Sequence, residues 1–201
     1  MCRLCFDKIK EDTFHSLLHC NMSLCNRCQE QFSAVFEKTK VDGVTVRAIY
    51  DYNEFMQSNL YKLKGCGDIE LAPCFLDFHL PWMKLHYRHH HIVPVPSHAS
   101  RDEQRGFNQV EEIFRCSKIP VIKALIKTSD RKQSDLSQEE RKNVSEIIRW
   151  NDAVDITGKK ILLVDDVMTT GFTIRACIKM IKAHLPKSLE VLVISRVANK
   201  G

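Results

Sequence analysis

Residues 161–173, ILLVDDVMTTGFT, decide how the rest of the chain is read. Four apolar residues followed by two acids describe a parallel strand buried on both faces. Thr169-Thr170-Gly171 is a short loop, and a helix begins near Phe172. Gly171 lets another group approach the backbone closely, while amide N–H groups and threonine hydroxyls converge on one point at the helix N-terminus. That end of a helix favours negative charge, so the loop suits a phosphate monoester. Asp165 and Asp166 would repel a bare phosphate and must serve something beside it. Ribose hydroxyls, which donate hydrogen bonds to carboxylates, are the natural partners. The G-x-x-x-x-G-K-[ST] phosphate loop is absent. An acidic pair at an ordinary strand–helix turn is the plainer alternative.

Working outward, apolar strands alternate with amphipathic stretches. VTVRAIY (44–50), HIVPV (91–95, bounded by Pro94 and Pro96), VIKALI (121–126) and LEVLVIS (189–195) read as strands. Helices are expected at 53–63, at 105–118 with Phe107, Val110, Ile113 and Phe114 on one face, and at 172–184, with a mixed segment at 71–80. Ser137 and Glu140 form a capping pattern for a helix running to about 148. This alternation predicts an α/β fold, a mostly parallel sheet with helices on both faces. Phe32, Val35 and Phe36 lie at helical spacing. Residues 31–43 are therefore expected to form a helical connector between a cysteine-rich unit (1–30) and the α/β domain (44–201).

The 201 residues are 44% hydrophobic and 27% charged, an ordinary composition for a globular protein. No run approaches the ~18 apolar residues of a membrane span, and MCRLCFDKIK lacks the apolar core of a secretory signal, so a cytoplasmic location is expected. The net charge of +5 is unevenly placed. Residues 101–142 hold ten basic and eight acidic side chains, whereas 179–201 hold five basic and one acidic.

Five of the nine cysteines fall within the first 28 residues. Cys2-x2-Cys5 and Cys25-x2-Cys28, nineteen residues apart, have the four-cysteine zinc-ribbon spacing. Four protein sulfurs leave no position for water, so a zinc ion there would be structural. Buried thiols or a redox pair are the alternative. Cys20, His15 and His19 could also ligate, but none forms a second C-x-x-C. Cys66, Cys74, Cys116 and Cys177 are scattered.

A second constellation lies at 93–109, VPVPSHASRDEQRGFNQ. Arg101 and Arg105, four apart, would face one way on a helix and suit a polyanionic ligand. Surface arginines at a helix start would read the same.

Taken with these motifs, the run of four apolar residues, two acids and T-T-G-x-T resembles the phosphoribosyl diphosphate signature of type I phosphoribosyltransferases. V-P-V-P, the spaced arginines, R-G-F-N-Q and the cysteine cluster narrow the resemblance to the ComF family, phosphoribosyltransferase-like proteins of natural competence. Gln133, Leu136, Arg141 and Asn143 fit its later patterning, with the last spacing short, and GntX-like proteins share the motifs. The resemblance implies that Thr169, Thr170, Gly171, Phe172 and Thr173 hold the 5′-phosphate, while Asp165 and Asp166 take the ribose 2′ and 3′ hydroxyls. It implies Mg²⁺ with the diphosphate, and places Lys64-Gly65 in the loop that cradles it. It also implies a role in handling transforming single-stranded DNA beside a ComFA-like DNA helicase/ATPase, with recruitment to the membrane uptake machinery left open.

Two functions follow. One is a DNA-handling competence protein that keeps a phosphoribosyl pocket; the other is an active Mg-dependent phosphoribosyltransferase of unknown acceptor. No general base or nucleobase hood is legible. The cysteine unit could dock a protein or clamp DNA. Phe172 stands where the family loop usually has a small residue, which narrows the pocket. Trp82, Trp150, Phe107 and Phe172 are the aromatics that could stack a base. His89-His90-His91 point alternately in an extended chain and cannot chelate one ion; a solvated approach to the strand is expected.

Overall fold

The computed structural model describes residues 1–9, 23–97, 99–127 and 148–197, without the side chains of 99–101. Residues 137–147 of the expected helix, residues 133–143 of the later patterning, and His15, His19 and Cys20 lie outside the described residues, and Ile148, where that helix is expected to end, begins a strand.

Asp42-Gly43 decides the first topological question. Both residues adopt positive φ (48° and 78°), as a two-residue hairpin turn requires. The turn pairs Val41 with Val44 and folds β1 (Ala34–Val41) antiparallel onto β2 (Val44–Asp51). The helical connector expected at 31–43 is therefore a strand. Of the three residues at helical spacing Phe32 enters the core, while Val35 and Phe36 are exposed. The cysteine-bearing helix α1 (Asn26–Glu30) precedes it.

Asn53 caps α2 (Glu54–Gly65) by accepting from the Met56 amide at 2.8 Å. The mixed segment at 71–80 forms two 3-10 helices (Ile69–Phe75 and Asp77–His79) with Pro73 inside the first, followed by α3 (Leu80–Tyr87). The short strand β3 (His91–Pro94) follows. The triple histidine is not a uniformly solvated approach to it, because His90 is buried. The helix expected over 105–118 is two helices, α4 (Ala99–Arg105) and α5 (Gln109–Arg115). Gly106 at φ 80° breaks the run, and the Asn108 side chain restarts it by accepting from the Glu111 amide.

Of 121–126, Val121 bridges Ile92 in parallel, and β4 (Leu125–Lys127) pairs instead with β5 (Ile148–Trp150). The chain closes with β6 (Lys160–Met168), α6 (Phe172–Ala183) and β7 (Ser188–Arg196).

The main sheet has the order β1-β2-β7-β6-β3, parallel except for β1. Strand alternation divides the interior into two layers. Leu162, Val164, Leu192, Ile194 and Ile92 face α2, α5 and the 3-10 helices. Ile161, Leu163, Val191, Val193 and Val93 face α6 and the β4–β5 pair. Cys2, Leu24, Cys28 and Phe32 belong to the first layer, so the cysteine-bearing segment shares the core of the α/β domain. From β3 the chain moves outward to Val121, and from β6 it moves the other way to β7. The carboxyl ends of β3 and β6 are thus a topological switch point, where an open α/β sheet leaves a crevice.

Candidate functional site

At that crevice lies an open cleft of about 310 Å³. Its walls are the β3 end (Val95, Pro96, Ser97), the β6 end with the following loop (Asp165 to Ile174), Lys64, Gln109 and Lys127. The loop residues Thr169, Thr170, Gly171, Phe172 and Thr173 all line it. Gly171 sits at φ 74° and its carbonyl receives the Arg175 amide at 2.9 Å, which opens α6. The residues of the first turn before Arg175, Phe172 to Ile174, line the cleft at this end of the helix. Phe172 is 46% exposed on the cleft wall.

The acidic pair ends the buried part of β6. Asp166 is 7% exposed at its side chain and receives Lys64 Nζ at 2.6 Å and Gln109 Nε2 at 3.3 Å on the same oxygen, Oδ2. Asp165 keeps some surface and accepts from the Asp166 amide at 2.9 Å. Burial first, and the Asp166 charge second, hold the Asp165 carboxyl up at about 8, against the opposing pull of Lys64. A group that donates hydrogen bonds or brings positive charge to this pair therefore finds an acceptor not yet satisfied by its surroundings. Ribose hydroxyls meet that description, and so does a divalent cation.

Arg105 does not face the cleft as an anion ligand. Its Nε donates to the Lys64 carbonyl at 2.9 Å and its Nη1 donates to Gln109 Oε1, with Asp102 Oδ1 3.9 Å away. It braces the two residues that touch Asp166. Arg101 lies in α4, its side chain outside the described residues. Gly65 ends α2 against the Tyr61 ring, where a Cβ would come within 2.9 Å of Cε2. Gln109, Ser97 and Lys127 carry no role in the sequence reading. Gln109 had a signal, since it follows the cap residue Asn108 within R-G-F-N-Q; Lys127 had none.

The second site is the sulfur cluster. The ligand atoms of Cys2, Cys5, Cys25 and Cys28 all lie within 4.8 Å of one another, with Cys5 Sγ and Cys25 Sγ 3.6 Å apart. Zn–S bonds of ~2.3 Å in a tetrahedron put sulfurs about 3.8 Å apart, so these four could hold such an ion with little movement. Burial raises the Cys2 thiol, but backbone hydrogen bonds at Cys25, Cys5 and Leu4 outweigh it and bring it to about 6. Cys28 is pushed up by burial and by the three neighbouring sulfurs. Four crowded sulfurs of this kind call for a cation. Arg3 anchors the knuckle to Glu70 through its carbonyl (2.7 Å) and carboxylate, and Ser23 Oγ donates to Asp77.

Residues 108–200 match the phosphoribosyl transferase domain family. The chain is 31% identical over 184 residues to the competence protein ComFC of Bacillus subtilis (strain 168), covering 87% of this chain and 74% of that one. It is 30% identical over 220 residues to the competence protein ComFC of Streptococcus pneumoniae, covering 97% and 99%. Among solved structures, a hypoxanthine-guanine phosphoribosyltransferase of Bacillus anthracis aligns at 17% identity and a TM-score of 0.41, over 63% of this chain and 69% of that one.

Proposed function

This chain belongs to the family of the ComFC competence proteins, and from that premise we propose that it handles transforming single-stranded DNA in the cytoplasm beside a ComFA-like helicase/ATPase, through a fold that keeps a phosphoribosyl pocket. The observation that carries the pocket is convergence. A threonine–glycine helix N-terminus and a desolvated acidic pair, each suited to one half of a ribose 5-phosphate, open into one cleft. Membership of a competence family supports the DNA-handling half. Among the described residues no helix is long and apolar enough to cross a membrane.

In this reading the first-turn amides of α6 and the hydroxyls of Thr169, Thr170 and Thr173 bind the phosphate. Asp165 and Asp166 accept from the ribose hydroxyls, and Lys64 moves from Asp166 toward the phosphates. The acidic pair also fits Mg²⁺, which when bound would neutralise the diphosphate charge. Zinc at the four cysteines is structural, with no open position for substrate.

The test is binding of a labelled single strand across a salt series, alongside competition by phosphoribosyl diphosphate. Asp165→Ala with Asp166→Ala should abolish phosphoribosyl diphosphate binding while leaving the fold intact. Unchanged phosphoribosyl diphosphate affinity in that variant would remove the pocket from the proposal. A second reading, an active phosphoribosyltransferase, draws on Lys64, a cation lining the cleft and paired with Asp166, whose charge would suit a leaving diphosphate. Diphosphate release that depends on an added nucleobase, with no DNA binding at low salt, would put it first.

A further inference from the structure

The edge of the sheet farthest from the cleft carries an aromatic cluster that the pocket does not use. Phe36, in the exposed strand β1, packs edge-on against Trp82 (5.4 Å, 75°) and His79 (4.7 Å, 87°). Trp82 stacks face to face with His86 one turn along α3 (5.5 Å, 13°). His86 is exposed, and Phe36, Val35 and Leu85 beside it are 44%, 41% and 72% exposed. Phe36 reaches this place through a positive φ of 48° at a register irregularity between Ala34 and Glu37. A bulky side chain adopts that conformation only at a cost in strain.

Two exposed lysines flank the cluster. Lys38 pairs across the strands with Arg47, whose guanidinium reaches the Tyr87 hydroxyl of α3. Cross-strand partners share a face, so Lys38, and Lys40 two residues on, project on the α3 side. Both are exposed. No acidic residue occurs from Leu80 to Val95. The acids nearby are engaged: Glu37 with Arg196, Glu190 with Arg47 and His90, and Asp77 with Ser23. Lysines on an edge strand also deter strand addition. That duty requires neither the strained Phe36 nor an exposed aromatic stack next to the lysines.

We propose that this β1–α3 strip is a single-stranded nucleic-acid track, with bases extending the Trp82–His86 stack and Phe36, and phosphates running along Lys38 and Lys40. Stacked aromatics flanked by cations are the means by which proteins hold single strands without reading sequence. β1 lies three strand spacings from β6, about 14 Å. A bound strand on this track leaves the cleft clear. The inference rests on the single-strand reading above and says where the strand lies.

The test uses the full chain and a labelled oligothymidylate. Lys38→Glu with Lys40→Glu, both at the surface, should weaken binding about tenfold or more. It should also flatten the salt slope by about 1.4, the share of two phosphate contacts on a single strand. His86→Ala should weaken binding several-fold, and a 5-iododeoxyuridine-substituted strand should photocrosslink to Phe36, Trp82 or His86. Wild-type binding with the lysine variant unchanged and crosslinks elsewhere would overturn the track and leave the DNA role standing. Absence of wild-type binding at low salt would overturn both. Loss of ATPase docking with DNA affinity retained would make the strip a protein interface.

Discussion

Asp165 shows how one side chain ties stability to ligand. Its carboxyl titrates near 8 in the fold, against an ordinary value of 3.8. Between those values the folded state binds more protons than the unfolded chain, so stability falls as pH rises. The expected result for the free protein is a melting temperature that declines by several degrees from pH 6 to pH 8. Asp165→Asn should flatten this decline, and a phosphoribosyl ligand should reduce it by satisfying the carboxylate. Arg105 works through other residues, so Arg105→Ala should weaken phosphoribosyl diphosphate binding about tenfold by leaving Lys64 and Gln109 unbraced, and should lower the melting temperature by several degrees. The two hydrogen bonds it loses, worth ~1 kcal/mol each, belong to the unliganded fold. Arg105→Lys should not rescue it, since an ammonium cannot keep the planar fork that serves the Lys64 carbonyl and Gln109 together. Nothing in the sequence separates an arginine that binds an anion from one that braces its neighbours. Both are surface-compatible cations at a helix end, and only packing distinguishes them.

At the scale of elements, backbone conformation and caps mattered more than periodicity. Gly171 permits the left-handed turn that starts α6, and a Cβ there would meet only Met168 Sδ at 3.9 Å. Gly171→Ala should therefore cost about 1–2 kcal/mol, nearly all conformational, and weaken phosphate binding as the loop shifts. Asn108→Ala should cost about 1 kcal/mol or somewhat more. It removes the α5 cap and the bonds from Nδ2 to Ser97 Oγ (2.7 Å) and Asp102 Oδ2 (2.9 Å). Chemical denaturation of each variant checks both values. β6, α6 and β7 were legible because their apolar runs are bounded by strong turn chemistry. β1 reads as a helix from spacing because Phe32, Val35 and Phe36 mimic a helical face, whereas the strand is set by the Asp42-Gly43 turn that follows them.

For the whole molecule the sulfur cluster is a structural question. Cys2, Leu24, Cys28 and Phe32 share a core with Met56, Leu60 and Leu63 of α2, the helix that carries Lys64. Metal removal should therefore disturb more than the first thirty residues. Chelation is expected to lower the melting temperature by about 10 °C or more and to weaken phosphoribosyl diphosphate binding with it. Metal analysis should find about one zinc per chain; less than half an equivalent, or full stability of Cys25→Ser with Cys28→Ser, would dismiss the site. The α/β class, the phosphate-loop strand and helix, the acidic pair and the two C-x-x-C pairs are legible in the chain alone, because each is a local pattern of residues a few positions apart. Packing alone puts Lys64 on Asp166, ties Arg105 to the Lys64 carbonyl and Gln109, and joins the cysteine knuckle to the main core. Those outcomes depend on pairings across tens of residues, which burial and strand order fix and local spacing does not record.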